Sequence, residues 1–268
     1  MAAVTYHGVI PPAYKVIATS GVTPSPDWAV PEEVPVAFVY NQRNYAVMLA
    51  TPADLADFAV GFSLTERVAN SSTDIISIDI YQEDRGIDFR FKISPERMDR
   101  LDLHLRRRNM AGRAGCGVCG LDNAEVFFEP LPKVASDTMV LSPQALADAH
   151  TQFSDLLPLG TRTRTVHGAA WVDLEGRITT VREDVGRHNA LDKLIGALDG
   201  KQIDYASGFV MISSRCSYEI IEKAARIGIR AVAALSGPTL FALRKAVEAN
   251  LAVYCRSGDG FIEAINET

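Results

Sequence analysis

Between residues 208 and 255 the chain alternates three short apolar segments, Gly208 to Ser213, Ala231 to Leu235 and Leu251 to Cys255, with two segments of helical pattern, Ser217 to Ile227 and Pro238 to Ala249. Strands of that kind offer no polar face to water, so they belong in a sheet with parallel strands that helices cover on both sides. Immediately before them, Val166 to Val172 and Ile178 to Val181 read as two strands joined by a turn at Glu175-Gly176, and a helix follows from about Val185 to Leu198. Ser142-Pro143 supplies a cap and a first-turn proline for a further helix ahead of these strands.

The first half has a different grammar. Val34 to Tyr40, a polar turn at Asn41 to Asn44, and Tyr45 to Ala50 read as a hairpin. Thr51, Pro52 and Asp54 then predict a helix capped by Thr51 and running to Arg67. Strands follow at Ile75 to Tyr81 and Ile87 to Ile93, and Ser94-Pro95 opens a helix to about Arg108. A short strand near Ala124 to Phe128 precedes a proline-bearing linker at Glu129 to Asp137. Residues 1 to 29 carry four prolines and little periodicity, and read as an N-terminal arm laid over the surface or partly mobile. The expected fold class is therefore α/β in the broad sense (α+β): arm 1–29, an α+β subdomain 30–140 with a cysteine loop at 109–121, and a three-layer αβα subdomain 141–268.

Thirty-three acidic against 27 basic residues in a chain of 268 give a net charge of −6, which argues against a general polyanion binder, so no nucleic-acid partner is expected. No window approaches the roughly 18 apolar residues of a membrane span, and the first 20 residues lack a basic start followed by an apolar block. The expected address is the cytoplasm. Four cysteines, Cys116, Cys119, Cys216 and Cys255, are too few and too unevenly spaced for a disulfide framework.

The most informative segment is Asn109 to Leu121, in which glycines at 112, 115, 117 and 120 surround Cys116 and Cys119. Glycine on either side of each thiol removes side-chain cover and suits an exposed, mobile loop. Arg106, Arg107, Arg108 and Arg113 lie nearby, and positive charge lowers a thiol's pKa and raises its reactive fraction. Three chemistries fit such a pair. A structural zinc site wants four ligands, and the other cysteines are distant, so no structural metal is expected. A thioredoxin-like redox pair would sit after a strand at a helix start, whereas an arginine-rich helix precedes this one. A sulfur carrier would take a sulfur atom as a persulfide and release it by thiol–disulfide-type exchange. The residues by themselves do not choose between the last two.

Other constellations are less specific. Residues 182–194 gather charge at the start of a helix that Asp184 is placed to cap, with Arg187, His188 and Asn189 in its first turn, fit either for an anionic ligand or for a satisfied structural network. Ser213-Ser214-Arg215 and Ser236-Gly237-Pro238-Thr239 both lie where an apolar strand hands over to a helix, the place where sheets with parallel strands hold ligands. Cys216 reads as a packed cysteine at a helix start. Cys255-Arg256-Ser257-Gly258-Asp259-Gly260 joins the last two strands. No dinucleotide fingerprint, phosphate-loop lysine motif or Gly-x-Ser-x-Gly elbow occurs.

Three long stretches in order, Thr51 to Glu66, the cysteine loop, and Glu-Asp-Val-Gly-Arg-His-Asn-Ala-Leu-Asp-Lys-Leu-Ile-Gly ending at Gly196, resemble the formate dehydrogenase accessory sulfurtransferase family (FdhD), from Val34 to about Ile265. The resemblance implies a cytoplasmic homodimer that takes sulfur from a cysteine desulfurase and passes it to the molybdenum bis(molybdopterin guanine dinucleotide) cofactor of formate dehydrogenase, its client. Cys116 matches the family's persulfide cysteine, Cys119 its second cysteine, and Cys255, Arg256, Ser257, Gly258, Asp259 and Gly260 its cofactor-contact segment. The chain departs from the family at Ala114, where Thr is frequent, at Arg67, where Gly is usual, and at Ser214, where Gly commonly precedes the arginine. The family's second half resembles the cytidine-deaminase fold, but no His or Cys here has Glu two positions later and Gly115 precedes the cysteine pair, so zinc deamination is not expected. Two rival functions are a molybdenum-cofactor chaperone without sulfur transfer and a thiol–disulfide oxidoreductase.

Overall fold

The computed structural model describes residues 2–15, 28–98 and 129–265. The first part contains β1 (Ala3–His7), β2 (Ala13–Lys15), β3 (Ala29–Pro31), β4 (Val34–Tyr40), β5 (Arg43–Ala50), α1 (Leu55–Thr65), β6 (Ile75–Glu83) and β7 (Gly86–Ile93). Five of these strands form one sheet in the order β1-β6-β7-β4-β5, and β2 pairs with β3 apart from it. The alternation along β4 and β7 puts Val36, Phe38, Tyr40, Phe89 and Phe91 on one buried face. There they meet Phe58 and Phe62 of α1, with Phe38 stacked on Phe62 at 3.9 Å between ring centroids and edge-on to Phe58 and Phe89. Each such ring contributes roughly 1.5–3 kcal/mol by leaving water.

The second part contains α2 (Pro143–Phe153), α3 (Pro158–Thr163), β8 (His167–Asp173), β9 (Ile178–Asp184), α4 (Arg187–Gly200), β10 (Gly208–Ile212), α5 (Tyr218–Ile227), β11 (Ala231–Ala234), α6 (Leu240–Ala249), β12 (Ala252–Ser257) and β13 (Gly260–Glu263). Its sheet runs β13-β12-β11-β10-β8-β9, with β10, β11 and β12 parallel. Successive residues of one strand serve opposite cores: Val210 and Ile212 face α4, α5 and α6, while Phe209 and Met211 face Leu146, Ala149 and Phe153 of α2. This is why those strands are apolar at every position, and it makes the second part a three-layer αβα unit within an α+β fold.

Helix α1 joins the two parts. It is buried between the first sheet and α4, so that one core runs from Phe38 through Leu194 to Val232. The crossing is close because both helices present glycine. A Cβ on Gly61 would fall 1.7 Å from the carbonyl oxygen of Asp192, and one on Gly196 would fall 2.0 Å from that of Asp57.

Several local expectations change. Thr51 does not cap α1, which starts at Leu55 after Asp54 in the left-handed region; the Thr51 hydroxyl instead accepts from the Val185 amide at 3.1 Å. The helix stops at Thr65 because Arg67 turns left-handed at φ 62°. Within the proline-bearing arm, β1 is no surface overlay but pairs in parallel with β6 at the sheet edge. Segment 129–141 has no regular structure yet is pinned: the Leu131 amide donates to Glu248, the Val134 amide to the Ala249 carbonyl, and the Leu141 amide to the Tyr254 hydroxyl. The expected cap at Ser142 is present, accepting from the Ala145 amide at 3.0 Å.

Two predictions follow from backbone geometry. Gly61→Ala and Gly196→Ala should each lower the unfolding free energy by about 3 kcal/mol in urea titrations, whereas Gly200→Ala, whose Cβ meets nothing within 4 Å, should be neutral or slightly stabilising; tolerance at both crossing positions would refute the close approach. Arg67→Gly should raise stability by about 0.5–1 kcal/mol, because glycine adopts the left-handed region without a Cβ penalty.

Candidate functional site at the carboxyl edge of the second sheet

Strand directions gather the chemistry at one edge. β9 and β10 are both antiparallel to β8, and β10, β11 and β12 are parallel, so β9, β10, β11 and β12 all end on the same side while β8 begins there. Helices α4, α5 and α6 start from that edge, as a ligand-holding sheet of this kind requires. Beyond the strands, Cys216 and Pro238 form a parallel bridge, and the Thr239 amide donates to the Cys216 carbonyl at 3.1 Å. Thr239 caps α6 by accepting from the Ala242 amide, while Ser217 begins α5 with no side-chain cap.

The charged stretch at the start of α4 divides by burial. Asp184 is fully buried and accepts from the Thr51 amide at 2.9 Å, the Gly186 amide at 2.8 Å and the Asn189 side chain at 2.9 Å. Gly186, not Asp184, occupies the cap position of α4. Lys193 completes the group, 2.7 Å from Asp184 and donating to the Thr51 carbonyl at 2.9 Å. One residue earlier, on the neighbouring face, Asp192 takes two 2.9 Å bonds from Lys223, which also donates to Thr65. These two ion pairs tie α4 to α1 and to the chain before it. Glu183 accepts from the Leu159 and Gly160 amides at the start of α3, and burial pushes its carboxyl up. All of these residues have structural partners.

Arg187 and His188 point the other way. His188 Nε2 lies 2.7 Å from Glu219 of α5, and Arg187 Nη2 lies 3.8 Å from the same carboxylate. The His188 bond first, and the charges of His188 and Arg187 after it, hold Glu219 below the usual glutamate range despite its burial. His167, at the start of β8, is pushed down by burial and by Arg187. Glu219 and His167 carried no signal in the sequence: Glu219 reads as an ordinary acid in a first helical turn, and only the fold brings it to His188.

The four thiols fall into two classes. Cys216 is fully buried, with burial and the neighbouring Cys255 pushing it up to about 12. Cys255 is 7% exposed and likewise raised by burial. Burial thus disfavours the thiolate at both, which makes them poor nucleophiles. Cys116 and Cys119 lie outside the described residues. Of the other residues expected to contact a cofactor, Arg256, Ser257, Gly258, Asp259 and Gly260 are exposed in the β12–β13 hairpin at this same edge. Gly258 makes the turn with φ 57°, and Arg256 Nη1 sits 2.9 Å from His150 Nδ1 of α2. Among the described residues no group of three His, Cys, Asp or Glu is placed to hold a metal ion, and no helix is long and apolar enough to cross a membrane.

Residues 31–261 match the family model described as the FdhD/NarQ family. A relative from Xanthomonas euvesicatoria pv. vesicatoria, named sulfur carrier protein FdhD, is 46% identical over 224 residues, 83% of this chain and 78% of the relative. A relative of the same name from Cupriavidus necator is 45% identical over 236 residues, 87% of this chain and 81% of the relative. The crystal structure of a protein from Desulfotalea psychrophila, described as a formate dehydrogenase accessory protein, superposes with a TM-score of 0.67 at 22% identity, covering 88% of each chain, and supports the fold alone.

The depressed Glu219 gives a pH signature. A carboxylate whose folded pKa is lowered contributes stability that is present above its unfolded value and lost as pH falls through the folded one. Glu219→Gln should therefore flatten the decline of unfolding free energy between about pH 5 and pH 3, measured by urea titration; an unchanged slope would show that the His188–Glu219 contact carries no such coupling.

Proposed function

Because the chain belongs to the FdhD/NarQ family, we propose that it is a sulfur carrier for formate dehydrogenase maturation, acting in the cytoplasm as a homodimer. Cys116 is the carrying residue. Its thiolate attacks the outer sulfur of a cysteine persulfide on a cysteine desulfurase; the donor's S–S bond breaks, the donor cysteine leaves as a thiolate, and Cys116 holds the sulfur as a persulfide. The exchange is redox-neutral. Cys119 assists release to the acceptor, the molybdenum bis(molybdopterin guanine dinucleotide) group, which is the substrate of this step.

The observation that carries the reading is the thiol inventory. Two of the four cysteines are buried, and burial raises both thiols away from the reactive thiolate, so sulfur chemistry falls to the pair flanked by glycine and arginine. The acceptor's place is the carboxyl edge, where the sequence-expected segment 255–260 lies beside three strand-to-helix junctions and where cationic side chains suit a phosphate-bearing ligand.

Mass spectrometry after incubation with a cysteine desulfurase and cysteine tests it. The Cys116 peptide should gain one sulfur atom; Cys116→Ala should abolish both the gain and activation of the client dehydrogenase, while Cys119→Ala retains loading and loses part of the activation. Cys216→Ala should load normally. Client activation by Cys116→Ala would favour a cofactor chaperone, and a reversible Cys116–Cys119 disulfide turning over ordinary disulfide substrates would favour an oxidoreductase.

A further inference from the structure

Residues 3–10 make more specific contacts than an arm needs to lie on a sheet edge. Strand β1 adds to β6 in parallel, from Ala3 against Ser77 to His7 against Tyr81, and side chains then fix it in place. The Tyr6 hydroxyl accepts from the Ala56 amide, a first-turn amide of α1, whose start has no side-chain cap from Asp54. The His7 ring stacks on Tyr81 at 4.3 Å between centroids and approaches Asp79 at 3.9 Å. Beyond the strand, the Gln82 side chain donates to the Gly8 carbonyl at 3.0 Å and accepts from the Ile10 amide at 3.1 Å. Glycine is required between them: Gly8 has φ 85°, and a Cβ there would fall 2.2 Å from the Gln82 carbonyl oxygen. Ala2, Val4 and Ile10 pack against the main core.

These contacts read a sequence, an aromatic hydroxyl at one position and a glycine two positions later. The walls that read it, β6 and the start of α1, lie inside the stretch 31–261 that matches the family model, while the strand they hold lies outside it. Within β1 every residue but Val4 is exposed, so little apolar burial opposes its release. Pro11-Pro12 follow directly. Two ring-fixed φ angles resist the compact turn that returns an element to its own chain, the condition under which elements exchange between copies. Docking within one chain and docking between two make identical contacts, so the hinge and the concentration set the balance.

We propose that the β6 edge and the start of α1 form a strand-docking surface whose partner is the arm of a second copy of this chain. Residues 3–10 exchange between two protomers, and each arm completes the other's α1. This rests on the reading of the chain as a homodimer, and it gives that dimer a contact made by named residues.

Mixing the full-length Ala3→Cys and Ser77→Cys variants under mild oxidation decides it, since those positions are register partners. The expected result is a cross-link between two chains, mapped to positions 3 and 77 by peptide mass spectrometry. An excess of a synthetic peptide of residues 2–11 should suppress it. The same peptide carrying Tyr6→Phe should be needed at roughly fivefold higher concentration, and one carrying Gly8→Ala at a concentration at least as high. Thr5→Cys with Asp79→Cys, the register pair two residues on, repeats the measurement should either first variant fail to fold. A cross-link that forms only inside the double variant Ala3→Cys/Ser77→Cys, and never between the single variants, would overturn the exchange, as would suppression indifferent to Gly8→Ala. Light scattering keeps the two readings apart: a dimer whose only cross-link is internal sinks the exchange and leaves the homodimer, whereas a chain that stays monomeric throughout sinks both.

Discussion

The approach of α1 to α4 sets the position of almost everything else. Glycine at 61 and 196 lets the two backbones come within the space of a side chain, and at that distance polar groups of one helix can satisfy those of the other. Asp192 and Lys223 are buried together with Thr65 only because α1 lies so near. A buried ion pair of this kind contributes little net stability against an apolar replacement, but losing one partner costs about 3–5 kcal/mol. The pairs therefore act chiefly against misplacement: a shifted α4 would strand a charge away from water.

That rigidity has a functional consequence. Asp184 and Lys193 fix the start of α4 against Thr51, so Arg187 and His188, the next residues outward, are presented from a fixed base to α5. The stretch Glu183–Gly196 thus does two jobs at alternating positions, as a joint on its inner side and as part of the edge on its outer side. Substitutions within it will separate into those that unfold the protein and those that leave it folded but alter the edge.

Much of the fold was legible in the sequence because strand burial leaves a direct mark. The continuous apolar runs at 208–212 and 231–234 announced strands covered on both faces, and alternation along 86–93 announced a strand with one core face. What was hidden depends on contacts distant in sequence. Thr51, followed by proline and an acid, has every local feature of a helix cap, yet its hydroxyl serves the Val185 amide, 134 residues away. The proline-bearing arm carries too few apolar residues to announce β1, which is held by its backbone pairing with β6. At the edge, Arg215 and the 255–260 hairpin could be read as strand-end residues, whereas His167 and Glu219 could not, since they gain meaning only once β8 runs antiparallel between β9 and β10.

Net charge misleads for the same reason. A value of −6 excludes a protein coated in positive charge, but it is an average over the whole chain, and within it Arg187 and Arg215 both follow strands that end at one edge. The same edge also need not be close to the cysteine pair in the chain. Residue 97 is tied to Asp74 at 2.6 Å and Glu129 to Lys245 at 3.0 Å, so both roots of the intervening segment are fixed to the folded body, one beside the first sheet and one on α6. On the proposed reading, selectivity comes from the rigid edge that holds the acceptor.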